Sequence, residues 1–218
     1  MTTETQGYAA RLRIDYPEKL DRVTTFFRIL WALPVVILLS ILTAGATSSV
    51  KTVTESGRVI SEVSNTSGGI AGALFAATLL MILIRRRYPR WWFDFALELN
   101  RFSTRVGAYL LLLTDGYPST VEEQSVHLDL DYPDVERDLN RWLPLIKWLL
   151  ALPHLIILVF LYVAVVLVTV IAWFAILFTG RYPRGMFDFV VGVARWSLRV
   201  YAYAFLLLTD EYPPFALA

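Results

Sequence analysis

The chain contains no cysteine and only two histidines. The first absence removes disulfides, thiolate nucleophiles and thiolate metal sites. The second leaves His127 and His154 without the carboxylates and spacing that a metal site needs. Charge is scarce as well. Only 18% of the 218 residues are Asp, Glu, Lys or Arg, and the net charge of +1 gives no basic field for nucleic acid. Gly-x-Ser-x-Gly, Walker-type and dinucleotide-binding glycine patterns are missing. No cofactor is implied. The opening "MTTETQGYAA" has neither the basic start nor the apolar centre of a cleaved leader. The first apolar segment is therefore expected to stay as an anchor.

What the chain does have is hydrocarbon. Its hydrophobic fraction is 56%, against roughly 45–50% in an ordinary globular domain. Residues 29–50 and 63–84 carry no charge; the first run is long enough to cross a bilayer core of about 30 Å, and the membrane part of the second is expected to start near Ile70. Residues 148–180 form a longer charge-free run. It reads as a hairpin turning near 160–164, with one long helix as the competing reading. Small residues in "GGIAG" suggest close helix packing. Pro34 and Pro153 are expected to kink their helices.

The chain also repeats itself. "IDYPEKLDRVTTFFRILWALP" returns as "LDYPDVERDLNRWLPLIKWLLALP", "RYPRWWFDF" as "RYPRGMFDF", and "RFSTRVGAYLLLLTDGYP" as "RWSLRVYAYAFLLLTDEYP". Each copy opens on a period-two stretch, "ARLRIDY" and "SVHLDLDY", the pattern of a half-buried strand. The expected fold is an all-α integral membrane protein. It would be an internal duplication of a helical hairpin plus an amphipathic interfacial helix, with a small cytoplasmic β-ribbon from the start of each repeat. The expected plan is a disordered tail (1–10) followed by two repeats. Repeat 1 (11–118) has two transmembrane helices, an outside loop (46–69) and an interfacial helix (93–113). Repeat 2 (119–218) has a transmembrane hairpin at about 142–179 and an interfacial helix (187–208). Basic residues before the first span and after the second put both termini in the cytoplasm of a bacterial inner membrane.

The interfacial helices carry their charges in a stripe. Asp94, Glu98, Arg101 and Arg105 lie within about 60° of one another on a helix. In the second copy the same places hold Asp188, Gly192, Arg195 and Arg199. One reading turns the stripe to lipid headgroups; the other turns it to polar partners inside a helix bundle. With Arg87, Arg90, Arg181 and Arg184 of the two elbows, these residues are the candidates for binding anionic lipid or a partner. Six prolines follow tyrosine and read as turns fixed at the headgroup level. His154 is a candidate proton relay, against the plainer reading that it donates to a carbonyl freed near Pro153. The acidic segment 115–142 is a solvated linker, a docking surface, or a partner for the N-terminal "RLR".

"ALPHLIIL", "AWFAILFTGRYPRGMFDFVVGVARWSLRVYAYAFLLLTDEYPPF" and the "DYP" opening resemble a bacterial membrane-protein family catalogued as a domain of unknown function (DUF 4389). The resemblance covers nearly all of the second copy and is looser in the first. It implies no activity, substrate or catalytic residue. The function expected is a non-enzymatic membrane scaffold or accessory subunit. Its partners would be anionic lipid and a larger membrane complex or further copies of itself. A small transporter or channel with a charged path is the alternative, and a lipid-modifying enzyme the third.

Overall fold

The computed structural model describes residues 8–43, 47–53, 59–66, 69–120, 122, 124–135, 137 and 139–217. The two period-two stretches form strands β1 (Ala10–Ile14) and β4 (Val126–Leu130), paired antiparallel with Leu12 opposite Leu128. Ala10, Leu12, Ile14, Val126, Leu128 and Leu130 are buried, while Arg11, Arg13 and Asp129 between them are exposed. The ribbon thus has one apolar and one charged face. Asp131 receives Arg11 through two hydrogen bonds of 2.6 and 2.8 Å, so the linker does pair with "RLR". The expected tail is too long: Tyr8 is buried and donates to the Glu211 carbonyl at 3.1 Å. Residues 1–7 lie outside the described residues.

Two strands alone are marginal in water, and two helices cover the apolar face. These are α3 (Arg90–Leu110) and α6 (Arg184–Ala204). Each begins directly after a proline that caps it in extended conformation, Pro89 with ψ 130° and Pro183 with ψ 126°. Proline has no N–H to donate and suits a helix entry. Both helices therefore start three residues before the expected positions 93 and 187. Arg101 Nε donates to the Leu128 carbonyl at 3.0 Å, and Arg195 Nε to the Leu12 carbonyl at 2.9 Å. Each helix runs against its strand, and the strands oppose one another. So α3 and α6 are antiparallel.

The third layer is apolar. Helix α1 (Arg22–Thr43) has 22 residues, and α5 (Leu152–Thr179) has 28, preceded by the short α4 (Pro144–Leu150). At 1.5 Å per residue α1 and α5 are about 33 and 42 Å long. Both are long and apolar enough to cross a membrane. The hairpin expected at 142–179 is not there. Between His154 and Thr179 the chain offers no proline, glycine or polar cluster to turn on, and it continues as one helix. Pro153 falls in the first turn of α5, where its missing N–H costs nothing.

The first half is not a helical hairpin either. Arg28 of α1 bonds the Tyr109 carbonyl at the end of α3, and Val35 packs on Phe102 and Val106. Helix α2 (Gly69–Leu80) ends in a π-turn, Met81–Arg85. Its Thr78 hydroxyl receives Trp92 Nε1–H from the start of α3 at 2.9 Å. Both α1 and α2 therefore run antiparallel to α3, in the same direction as each other. Between them the expected loop contains strands β2 (Thr47–Val53) and β3 (Val59–Thr66), antiparallel with Lys51 opposite Glu62. This polar ribbon interrupts a helical course that α4 and α5 complete with only a step at Ala151. Pro34 sits inside α1. At Gly72 no neighbouring heavy atom lies within 4 Å of where a Cβ would stand, so that glycine is not the close contact expected of it.

The order of the layers follows from which residues of one helix reach which neighbour. On α6, Arg195 reaches β1, whereas Trp196 and Ser197 bond His154 and Tyr162 of α5. Successive residues turn by about 100°, so ribbon and α5 lie on opposite sides of α6. On α3, Arg101 reaches β4 while Phe102 and Val106 meet α1.

Candidate functional site: the basic elbows and the striped helices

The turns before α3 and α6 are built alike. Tyr88 and Tyr182 are buried at 4% and 0% exposure. The Tyr88 hydroxyl donates to the Leu206 carbonyl at 3.2 Å, and its ring meets Phe93 and Tyr132 edge to face. These two phenols are packing residues and not headgroup anchors. Burial pushes both up to about 12, so they stay neutral throughout the physiological range. Each elbow is gripped from the other half of the chain. Tyr132 donates to the Tyr88 carbonyl and its ring lies 5.3 Å from the Arg90 guanidinium. Tyr16 donates to the Tyr182 carbonyl and its ring lies 4.2 Å from Arg184. Cations over phenol faces are attracted by the ring quadrupole.

Each elbow carries a cluster of exposed cations. Arg85, Arg86, Arg87, Arg90 and Arg141 are exposed around the first, and Lys19, Arg22, Arg181 and Arg184 around the second. Arg141 donates to the Leu83 carbonyl at 2.6 Å, and Arg22 to the Phe178 carbonyl at 3.2 Å. Arg86 takes the left-handed conformation that ends the π-turn, with φ 51°. The first elbow stands beside the end of β4 and the second beside the end of β1. Because these strands are antiparallel, the two basic clusters sit at opposite ends of the molecule.

The stripe arginines are occupied within the chain. Arg101 also holds Glu98 at 2.7 Å and Asp129 at 3.3 Å. Arg105 donates to the Ser119 carbonyl at 2.5 Å, and Arg199, only 3% exposed, to the Ala216 carbonyl. The stripe arginines therefore face ribbon and returning loops. Asp94 and Asp188 remain exposed near the helix starts. The glycine at position 192 now has a reason. A Cβ there would stand 2.7 Å from the Leu217 carbonyl, so the C-terminal segment occupies the place that Glu98 fills on α3.

Sequence reasoning missed two cation clamps. Arg28 is 2% exposed, donates to the Tyr109 and Thr114 carbonyls at 2.8 and 2.6 Å, and pairs with Asp115. Lys147 is fully buried, donates to the Thr209 carbonyl at 2.7 Å and pairs with Asp210 at 2.7 Å. The second carboxylate oxygen of each aspartate takes a backbone N–H, from Asp21 and from Asn140. Both cations lie over a tyrosine, at 4.5 Å for Tyr109 and 5.1 Å for Tyr203. The recurring "LLLTD" was the available signal. Leu112 and Leu207 within it hold φ 65° and 57°, a left-handed turn that brings Thr-Asp back under the cation.

His154 accepts a hydrogen bond at Nδ1 from Trp196 Nε1–H at 3.1 Å and stacks on Phe215 at 3.9 Å. The expected bond to a freed carbonyl is absent among the described residues, and Nε2 has no partner there. An apolar cavity of about 330 Å³ lies between α2, α3 and the end of α6, lined by Leu74, Phe75, Thr78, Trp92 and Phe205 among others. Comparison with curated proteins and with solved structures gives no match. Residues 142–216, which span α4 to α6 with the clamp of Lys147, match the family model described as Domain of unknown function (DUF4389).

Proposed function

We propose that the chain is a membrane-bound, non-enzymatic scaffold or accessory subunit that holds anionic lipid at its elbows and presents a charged ribbon to a partner membrane protein. The observation that carries this is where hydrocarbon is left bare. Of the most apolar eighteen residues of α1 and of α5, only 22% and 17% are buried. The core helix of a soluble domain would be mostly covered, and contiguous apolar surface of this size marks a lipid or protein interface. Ile29, Phe160 and Phe178 stand out at 81%, 72% and 78% exposure. Exposed arginines border that surface, and each contributes about 1 kcal/mol to attraction by an anionic leaflet.

Two tandem copies of one unit are part of this reading. Its support is that recurring strings make corresponding contacts: the elbows, the clamps of Arg28 and Lys147, and the bonds of Arg101 and Arg195. These repeated polar residues are spent on holding the layers together, which favours a scaffold over a charged transport path. The test is flotation with vesicles. The chain should stay with membranes through an alkaline wash and bind vesicles containing phosphatidylglycerol more tightly than neutral ones. Replacing Arg85, Arg86 and Arg87 together by alanine should weaken that preference roughly 100-fold, three charges at about 1 kcal/mol each. Recovery of the chain in the wash supernatant would sink the proposal.

A further inference from the structure

We propose that the molecule lies flat in one leaflet, with α1 and α5 parallel to the membrane plane and the ribbon facing water. This rests on the membrane-bound reading above but departs from the crossing helices that hydropathy alone suggests. Three observations converge on it.

The first is the direction of the polarity gradient. The molecule is layered as ribbon, then α3 and α6, then α1 and α5. Its bare hydrocarbon is on the last layer and its charge on the first. Ribbon strands run along α3 and α6, α3 runs along α1, and α6 packs on α5. If the long helices stood upright, the ribbon would stand upright beside them. Arg11, Arg13, Asp129 and Asp131 are all exposed on its outer face. Arg13 and Asp129 flank the centre of the pairing, Leu12 opposite Leu128, and would lie at the depth of the hydrocarbon. Exposed charges are not tolerated there unless they face water or protein. Laid flat, the same charges face the aqueous phase.

The second is the pair of basic elbows. They sit at opposite ends of the ribbon. In an upright molecule one cluster would be on each side of the membrane, against the usual bias of arginine and lysine to a single side. In a flat molecule both reach headgroups of the same leaflet.

The third is thickness. One layer of helices is about 10 Å across, which fits within the half-thickness of about 15 Å of one leaflet's hydrocarbon. Trp31, midway along α1 and 59% exposed, and Tyr162, midway along α5 and 49% exposed, suit that shallow position. Such residues prefer the boundary to the bilayer centre.

The chain lacks cysteine, so each single-cysteine variant carries one thiol. Arg86→Cys marks the first elbow and Arg181→Cys the second, both at exposed positions. In sealed vesicles of one orientation, a membrane-impermeant maleimide should label both from the same side, and Arg13→Cys on the ribbon with them. Labelling of the two elbows from opposite sides would overturn the flat arrangement and leave the membrane-bound reading intact. A chain that leaves the membrane in the alkaline wash overturns both. Arg87→Cys and Lys19→Cys mark the same two ends and serve as a second pair if either first variant fails to fold.

Discussion

At the scale of single residues, the largest energies belong to the two clamps. Lys147 is fully buried and Asp210 mostly so, and removing one partner of such a pair costs about 3–5 kcal/mol because the other is left uncompensated. Lys147→Ala should therefore lower the thermal midpoint in detergent by roughly 10 °C for a chain of this size. Lys147→Arg, which keeps the charge, should lose much less. The exposed Arg11–Asp131 pair contributes at most about 1 kcal/mol, so Arg11→Ala should barely move the midpoint. Gly192→Ala tests a steric claim. Its Cβ would collide with the Leu217 carbonyl, so the variant should release the C-terminal segment to limited proteolysis while leaving helix content unchanged. Asp21 opens α1 by accepting Val23 N–H at 2.9 Å and the Thr24 hydroxyl at 3.0 Å, and these bonds hold its carboxyl below the usual range. A depressed carboxyl stabilises the fold above its unfolded pKa and loses that effect as pH falls through the folded one. The acid limb of stability against pH should then be flatter in Asp21→Asn.

At the scale of elements, what could be read in advance depended on whether the pattern was local. The ribbon was legible because alternation in "ARLRI" and "VHLDL" specifies a strand, and because two such stretches need one another. The striped helices were legible from the 3.6-residue spacing of their charges, although not the surface that the stripe meets. Hydropathy counts how much apolar chain there is and carries no direction, so the single course of α5 stood only as the competing reading and the parallel course of α1 and α2 was missed. The strands β2 and β3 were missed because "TSSVKTV" and "VISEVSNT" are polar, and polarity between two apolar runs reads as a loop. If that ribbon is an insertion in one helical course, its deletion should be tolerated. A chain joining Thr43 to Gly69 through a short helical linker should retain the thermal midpoint within a few degrees. Loss of the fold would show that β2 and β3 support it.

At the scale of the whole molecule, contacts link the two halves crosswise. β1 lies on α6 and β4 on α3. Tyr16 closes the second elbow and Tyr132 the first. None of this was visible in the recurring strings, since recurrence says which strings are alike and not which half of the chain each one touches. The consequence is for synthesis and assembly. Arg195 bonds Leu12 across 183 residues of chain, and Tyr16 bonds Tyr182 across 166. The first strand thus leaves the ribosome long before the helix it must cover. Contacts this distant in sequence slow folding, and the exposed edge and apolar α1 need shelter in the interval. Neither half should be stable when expressed alone, while two fragments divided near residue 120 and produced together should rejoin into one particle, detectable by co-purification through a tag on either. The crosswise grip that keeps the layers together would in this way also make the last helix the step that completes the first.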